Sequence, residues 1–458
     1  MSTYTEKMLE NVLSTSFENF DQAKLENAKY RIIDVLGCVV SGANATGNLA
    51  IIDQVKAWGG REEATIFVHG GKALAHNVAM INSIMARSFD FEATQAGVNG
   101  LYIPSHISGT TVTTAMTLGE AKDISGKELI SALLVGDDVA CRILAASGFG
   151  FALGWDNVGT VNAFGATAIA GRLLGLSKTQ LQNAFGIVLN QLAGSLETIW
   201  DGATAFKLVQ GLSARNGIFS AELAKAGWTG PKDALLGKFG YFNLYTEGCI
   251  NPDILIEDLG KKYHTEVTYK PYPGCRVNHT AVDCALKFVK NYDIENDQID
   301  QIILKVPAVF RDMFACQPFK IRDIPQIDAA FNMRFCVANV LLRKTLIIEH
   351  FQEDYIRDPR ITKLTNKIEI KELDDTDTRA WGASLILKLK DGQEYSSDVS
   401  YPKGDPVLGP LSKEEVTQKF MNNIAFSPKI TEVSAEKILS LIENLEEVDK
   451  ISEIIRLL

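Results

Sequence analysis

The ten residues Lys270-Pro-Tyr-Pro-Gly-Cys-Arg-Val-Asn-His279 put two fixed cations, a thiol and an imidazole on one short stretch of chain. Its two X-Pro steps hold the backbone extended and stiff. The apolar residues that follow, Ala281, Val282, Ala285, Leu286 and Val289, recur at helical spacing. Lys270, Cys275, Arg276 and His279 therefore sit at fixed spacing close to a helix start, where backbone N–H groups also favour anions. A carboxylate or a phosphate is the ligand such a segment suits. A surface turn with ordinary solvated charges is the plainer alternative.

A second group lies upstream. Asp90-Phe-Glu-Ala-Thr94 follows a helical pattern (Val78, Met80, Ile81, Ile84, Met85, Phe89), and a loop rich in Gly and Asn then leads to Pro104-Ser-His106. A carboxylate and an imidazole flanking one loop can pass a proton between them and a substrate, although such residues also serve as helix caps. Asp156, in Trp155-Asp-Asn157, precedes a glycine-rich helix and fits a plain N-cap equally well. Lys207, among small and apolar neighbours in 202–211, is either snorkelling or binding an anion. The histidines at 69, 76, 264 and 350 lack companions and read as structural.

Other chemistries find little support. No His-x-x-x-His, Glu-x-x-His or cysteine cluster supports zinc or iron–sulfur binding. No phosphate loop, dinucleotide fingerprint or Gly-x-Ser-x-Gly elbow occurs. Neither a metal nor an organic cofactor is expected. A net charge of −10 without a basic stripe argues against nucleic-acid or acidic-membrane partners, yet leaves room for a locally cationic pocket. Seven scattered cysteines suit reduced thiols. The stretch from Met1 to Asp21 carries Glu6, Glu10, Glu18 and Asp21 without a continuous apolar core, and the longest apolar run, 158–176, is broken by Asn162 and Arg172. A cytoplasmic protein without a membrane span is the expectation.

The elements that must position these residues divide in two. At 458 residues, 46% hydrophobic and 22% charged, the chain is long enough for more than one core. Up to about residue 265 the periodicity is helical. Ser125-Gly-Lys-Glu128 and Ser177-Lys-Thr-Gln180 have the form of capping boxes at helix starts. Beyond 266, strand-like runs at 301–306, 367–373 and 385–389 alternate with two helices, about 279–291 and 327–345. Leu385, Leu387 and Leu389 alternate strictly before Asp391-Gly392, a hairpin signal. After 403 the chain turns helical again, with Ser412-Lys-Glu-Glu415 as a third capping box. The expected fold is mainly α: a large all-helical domain built from both chain ends (1–265 plus 404–458), with an inserted smaller α+β lid domain (266–403). The cleft between them is the natural place for a ligand.

The order of several segments resembles the MmgE/PrpD family, which includes 2-methylcitrate dehydratase, cis-aconitate decarboxylase and iminodisuccinate epimerase. The segments are Asp34-Val-Leu-Gly-Cys38, Phe89 to Thr94, His106-Ile-Ser-Gly109, Gly165 to Ser177, Gly211 to Gly217, Gly227-Trp-Thr-Gly-Pro231, Lys270 to His279 and Pro402 to Leu411. The resemblance implies a homodimer acting on a small polycarboxylate without a metal. It places Asp90 and Thr94 at the family's first active-site carboxylate and hydroxyl, and His106 at the histidine of a His-Pro-Ser motif, with Ile107 in place of the proline. Lys270, Arg276 and His279 fall in its lid motif.

The chain also departs from the family. Asp156 stands where a second histidine is usual, Cys275 where the decarboxylase has a histidine near the lid motif, and Phe206 where a lysine is common, with Lys207 one place later. The expected activity is that of a cofactor-independent lyase of dehydratase type, or an epimerase, on a small di- or tricarboxylate. His106, Asp90 and Lys270 would carry the chemistry, and Thr94, Asp156, Lys207, Cys275, Arg276 and His279 would bind the substrate. The alternative is a family member that has lost catalysis and serves as a ligand-binding or regulatory dimer.

Overall fold

A computed structural model describes residues 3–148, 153–374 and 381–458. The fold is mainly α, with twenty α-helices and three small sheets among the described residues. The long helices Gln22–Gly42, Ala75–Arg87, Ile107–Lys122, Gly126–Ala146, Val161–Leu173 and Ala205–Lys225 pack on one another as a layered bundle. Their starts follow the expected chemistry. The Ser177–Gln180 and Ser412–Glu415 boxes both close reciprocally. Ser125 accepts the Glu128 N–H, but the Glu128 carboxylate does not complete a box; it turns to Arg172, 2.7 Å away, where a charged partner outcompetes a neutral amide.

The first 265 residues are not all-helical, which corrects that expectation. Strands β1 (Ala64–Thr65) and β2 (Lys72–Ala73) form a short ladder. The segment expected as a loop after Thr94 is a hairpin of β3 (Thr94–Val98) and β4 (Leu101–Ile103). Its turn is Asn99-Gly100, both at positive φ (51° and 81°), the backbone hand that matches the twist of paired strands. Strand β5 (Glu266–Thr268) pairs with the other edge of β3, Thr94 opposite Thr268. This ladder carries the Lys270 segment to the Asp90 segment.

The remaining strands are β6 (Ile299–Val306), β7 (Ile368–Glu372), β8 (Ala383–Leu389) and β9 (Glu394–Val399). They form one sheet in the order β7-β6-β8-β9, with β6 and β7 parallel and the other pairs antiparallel. Leu385, Leu387 and Leu389 point into the core, as their alternation predicts. Helix His279–Asn291 lies on β8 and β9 and against helix Met333–Arg343. The helix expected over 327–345 is broken: Pro325–Ala330 ends, and Asn332 caps a new start by accepting the Phe335 N–H at 3.1 Å.

Buried hydrophobics collect in two clusters. One draws on residues before 264 and after 415, so the two chain ends share a core. The other is built mainly from 275–389, with Phe89, Phe91, Leu196, Ile199 and Phe206 reaching in from the first part of the chain. Helix Lys413–Phe426 packs on Gln22–Gly42, and Lys419 reaches Asp34 at 2.6 Å in a fully buried pair. All seven cysteines are free thiols. Among the described residues no helix is long and apolar enough to cross a membrane.

Candidate active site

Helix Ala75–Arg87 ends in Arg87, and three residues later Asp90 takes a left-handed conformation (φ 48°) that turns its carboxylate back under the helix end. The Arg87 guanidinium bridges Asp90 and Glu92. Lys270 pairs with the other Asp90 oxygen at 3.0 Å and donates to the Asp90 carbonyl at 2.6 Å. The loop bearing these carboxylates is fixed from behind. Lys419 donates to the Phe91 carbonyl at 2.6 Å, and Asp34 accepts the Ala93 N–H at 2.7 Å. Two carboxylates and two cations thus lie buried together, each charge answered by another.

His106 is seated on this cluster at the start of helix Ile107–Lys122. Its Nδ1 lies 3.0 Å from Glu92 Oε1; its Nε2 lies 3.4 Å from Asp90 Oδ1 and 3.5 Å from Thr94 Oγ1. Burial alone would raise both carboxyls, but Arg87 and, at Asp90, Lys270 hold them well below the usual carboxylate range. Both ionised carboxylates only accept, and Glu92 is the closer at 3.0 Å against 3.4 Å for Asp90, so Nδ1 carries the proton and Nε2 keeps its lone pair. The Thr94 hydroxyl proton is committed to the Ser105 carbonyl at 2.7 Å and leaves that lone pair free. Burial first, and then Arg87, lower the imidazole pKa, so the ring stays neutral near neutrality. The side chain is 15% exposed while Asp90 and Glu92 are sealed, so the imidazole is the cluster's open end.

That end faces a cavity of about 260 Å³. Its polar lining is Arg87, Asp90, Thr94, Gln95, Ser105, His106, Asp156, Asn157, Cys275 and Arg276. The apolar lining is Leu196, Ile199, Val277, Val309, Phe310, Met313, Phe314, Phe331 and Trp381. A larger cleft of about 470 Å³, beside Ser41 and Phe426, has Glu353 and Asp354 as its ionisable lining and no lysine, arginine or histidine among the described residues.

The Lys270–His279 segment reaches the cavity because Gly274 (φ 92°) passes close over Ala330, where an added Cβ would lie 2.7 Å from the Ala330 carbonyl oxygen. The Gly274 N–H bonds the Phe89 carbonyl and the Cys275 N–H that of Ala330. Arg276 donates to the Lys403 carbonyl at 2.7 Å and to His279 Nδ1 at 3.2 Å, and its Nε has no partner. Among the described residues no carboxylate pairs with it. Burial pushes it down to about 10, which keeps it charged at neutrality. His279, neutral through burial, accepts from Arg276 and donates Nε2–H to the Gly274 carbonyl at 3.3 Å, so it orients the arginine. Burial and Asp90 push the Cys275 thiol up to about 11, so it stays protonated.

Asp90, Thr94, His106, Asp156, Cys275 and Arg276 all line the one cavity. Lys270 and His279 stand behind its wall, through Asp90 and Arg276. Lys207 lies apart: it is not among the lining residues, and its ammonium donates to the Thr46 carbonyl at 2.6 Å, with burial pushing it down to about 7. Asp156 faces the cavity while also capping a 3-10 turn by accepting the Val158 N–H at 3.0 Å, so both of its expected roles coexist. Glu92 and Arg87 went unassigned in the sequence. The signal was the second carboxylate two residues past Asp90 and a basic residue closing the helix before it. Asp90, Glu92 and His106 offer ligand atoms within 4.8 Å of one another, a shape a cation could use, but Arg87 and Lys270 already neutralise those carboxylates.

Residues 6–251 match the MmgE/PrpD N-terminal domain and residues 272–447 match the MmgE/PrpD C-terminal domain. The Homo sapiens protein named cis-aconitate decarboxylase is 24% identical over 456 residues, covering 95% of this chain and 90% of the relative. Proteins of the same name from Aspergillus terreus (strain NIH 2624 / FGSC A1156) and Mus musculus are 24% and 25% identical over 460 residues; each alignment spans 95% of this chain, with 91% and 89% of those relatives.

Proposed function

The chain belongs to the MmgE/PrpD family, and we propose that it is a lyase acting on a small di- or tricarboxylate by proton transfer at a carbon beside a carboxylate. The observation that carries this is the His106 imidazole, backed at Nδ1 by Glu92 and lining the same cavity as Arg276, a cation with no carboxylate partner among the described residues. Arg276 holds the substrate carboxylate, and its fixed charge stabilises the enolate-like charge that develops as the neighbouring C–H is broken. His106 takes that proton on Nε2. The resulting imidazolium lies between Glu92 and Asp90, both ionised and already in place, so no reorganisation is required. Lys270 and Arg87 keep Asp90 charged through the cycle. The names of the relatives support a lyase class of reaction. Loss of a neighbouring hydroxyl uses the same relay, the imidazolium passing its proton to the departing oxygen so that water leaves. Loss of carbon dioxide instead needs His106 protonated at the outset, to supply the proton that takes its place.

An epimerase is a second reading, favoured by Cys275: its protonated thiol lines the same cavity and is a separate proton source from His106. The deciding experiment follows substrate C–H exchange in heavy water by proton NMR. Citrate-, aconitate-, malate- and aspartate-like acids are each tested with wild type and His106→Gln. Exchange or turnover with one acid, lost in the variant, supports acid–base chemistry here. Exchange that inverts a stereocentre without releasing a group supports epimerisation. No exchange with any acid, from a folded protein, favours a binding or regulatory dimer.

A further inference from the structure

The cavity's polar side has its charges almost wholly used up. Among the described residues, Arg87, Lys270 and Arg276 on or behind the wall are balanced by Asp90, Glu92 and Asp156. Only Arg276 and Asp156 lack an ion-pair partner there, so a substrate meets one available cation and one available anion. A tricarboxylate would bring its third carboxylate into a space that holds Asp156 and, among the described residues, offers no further unpaired cation. Stripping water from a carboxylate without a counter-charge is strongly unfavourable.

The apolar lining supplies something else. Phe310 packs on Trp381 with ring centroids 5.1 Å apart, and Phe314 meets Phe331 edge-on at 5.7 Å. With Ile199 and Met313 these rings make an apolar surface in the same cavity as His106. We infer that the substrate carries an apolar arm, aryl or branched alkyl, where a tricarboxylate carries its third carboxylate. The arm lies on this wall, and a remaining carboxylate lies on Arg276. This rests on the acid–base reading above and narrows its substrate class.

Three acids built on one skeleton test it: succinate, tricarballylate (succinate with a carboxymethyl arm) and benzylsuccinate (succinate with a phenylmethyl arm). Each is titrated calorimetrically into the full chain. The expected order has benzylsuccinate about tenfold or more tighter than succinate, from burial of one ring. That increment should come with a more negative heat-capacity change, and tricarballylate should bind no better than succinate. Met313→Lys, at a half-buried position where a lysine stem can be accommodated, should shrink the benzyl increment and improve tricarballylate. Wild-type preference for tricarballylate over benzylsuccinate overturns the inference, as does failure of all three to bind. Binding is read at equilibrium, so it separates from turnover. A preserved preference for the benzyl arm without any C–H exchange would sink the acid–base reading alone. Exchange of tricarballylate as fast as benzylsuccinate would sink the apolar arm alone.

Discussion

The two walls of the cavity solve opposite problems. The Asp90–His106 wall is built of buried charges whose partners are fixed by helix ends, a hairpin and a lysine from near the C-terminus. The Phe310–Trp381 wall is built of half-exposed rings on short turns after β6 and before β8. Charges in low dielectric tolerate no misplacement, because an unpaired one is costly. Rings accept many shapes, because burial of apolar surface has no direction. A scaffold of this kind keeps its proton chemistry while changing what it accepts.

The sharpest way to break the comparison is at the polar wall. His106→Gln should lower kcat by about 10²- to 10⁴-fold with little change in urea midpoint, checked by steady-state rates beside denaturation curves. The same histidine sets a pH signature. Its folded pKa lies below the ordinary 6.5, so the base form, and with it kcat/KM, persists to more acid pH than a free imidazole allows. Between the folded value and 6.5 the unfolded chain binds more protons, so this group adds stability that is lost as pH falls through that window. Urea titrations above and below pH 6.5 read that term. A kcat/KM profile with its acid limb above 6.5 would contradict it.

Next in size is Lys270→Met. It strips one cation from Asp90 and leaves charge buried without its full answer, so a loss of about 3–5 kcal/mol is expected in urea unfolding. At the apolar wall the effect should change kind as well as size. Phe310→Ala should raise KM by an amount worth about 1–2 kcal/mol and leave kcat near wild type, the mark of binding shared by ground and transition states. Smallest is Gly100→Val in the β3–β4 turn, where positive φ disfavours a branched side chain. A loss of about 1 kcal/mol should appear in the thermal midpoint while kcat holds.

How much of this was legible in the chain differs by element. Helices with clean periodicity, such as His279–Asn291, were readable because apolar spacing and tertiary burial agree there. The β3–β4 hairpin reads as a loop because Gln95 and Gly97 interrupt one strand and the other has only three residues, although Asn99-Gly100 is itself the turn signal. Asp90, Thr94 and His106 stood out by type and order. Glu92 and Arg87 did not, since a carboxylate in an extended run and an arginine at a helix end have common structural explanations. Lys207 read as an anion ligand because sequence gives its neighbours but not its direction; its ammonium points to Thr46. The apolar wall was invisible, since Phe310, Phe314 and Trp381 sit on turns without periodicity and meet only in three dimensions.

The Lys419–Asp34 pair has a consequence in time. Its partners are 385 residues apart in the chain, and together they hold the Phe91 and Ala93 backbone on which Asp90 and Glu92 depend. A growing polypeptide carries every group of the polar wall by the time Arg276 is made, yet lacks the fastener until Lys419 emerges from the ribosome. Competence for proton transfer is therefore among the last properties the chain acquires during synthesis. A nascent chain halted in the stretch before Lys419 would hold those groups without the fastener behind the Phe91 carbonyl.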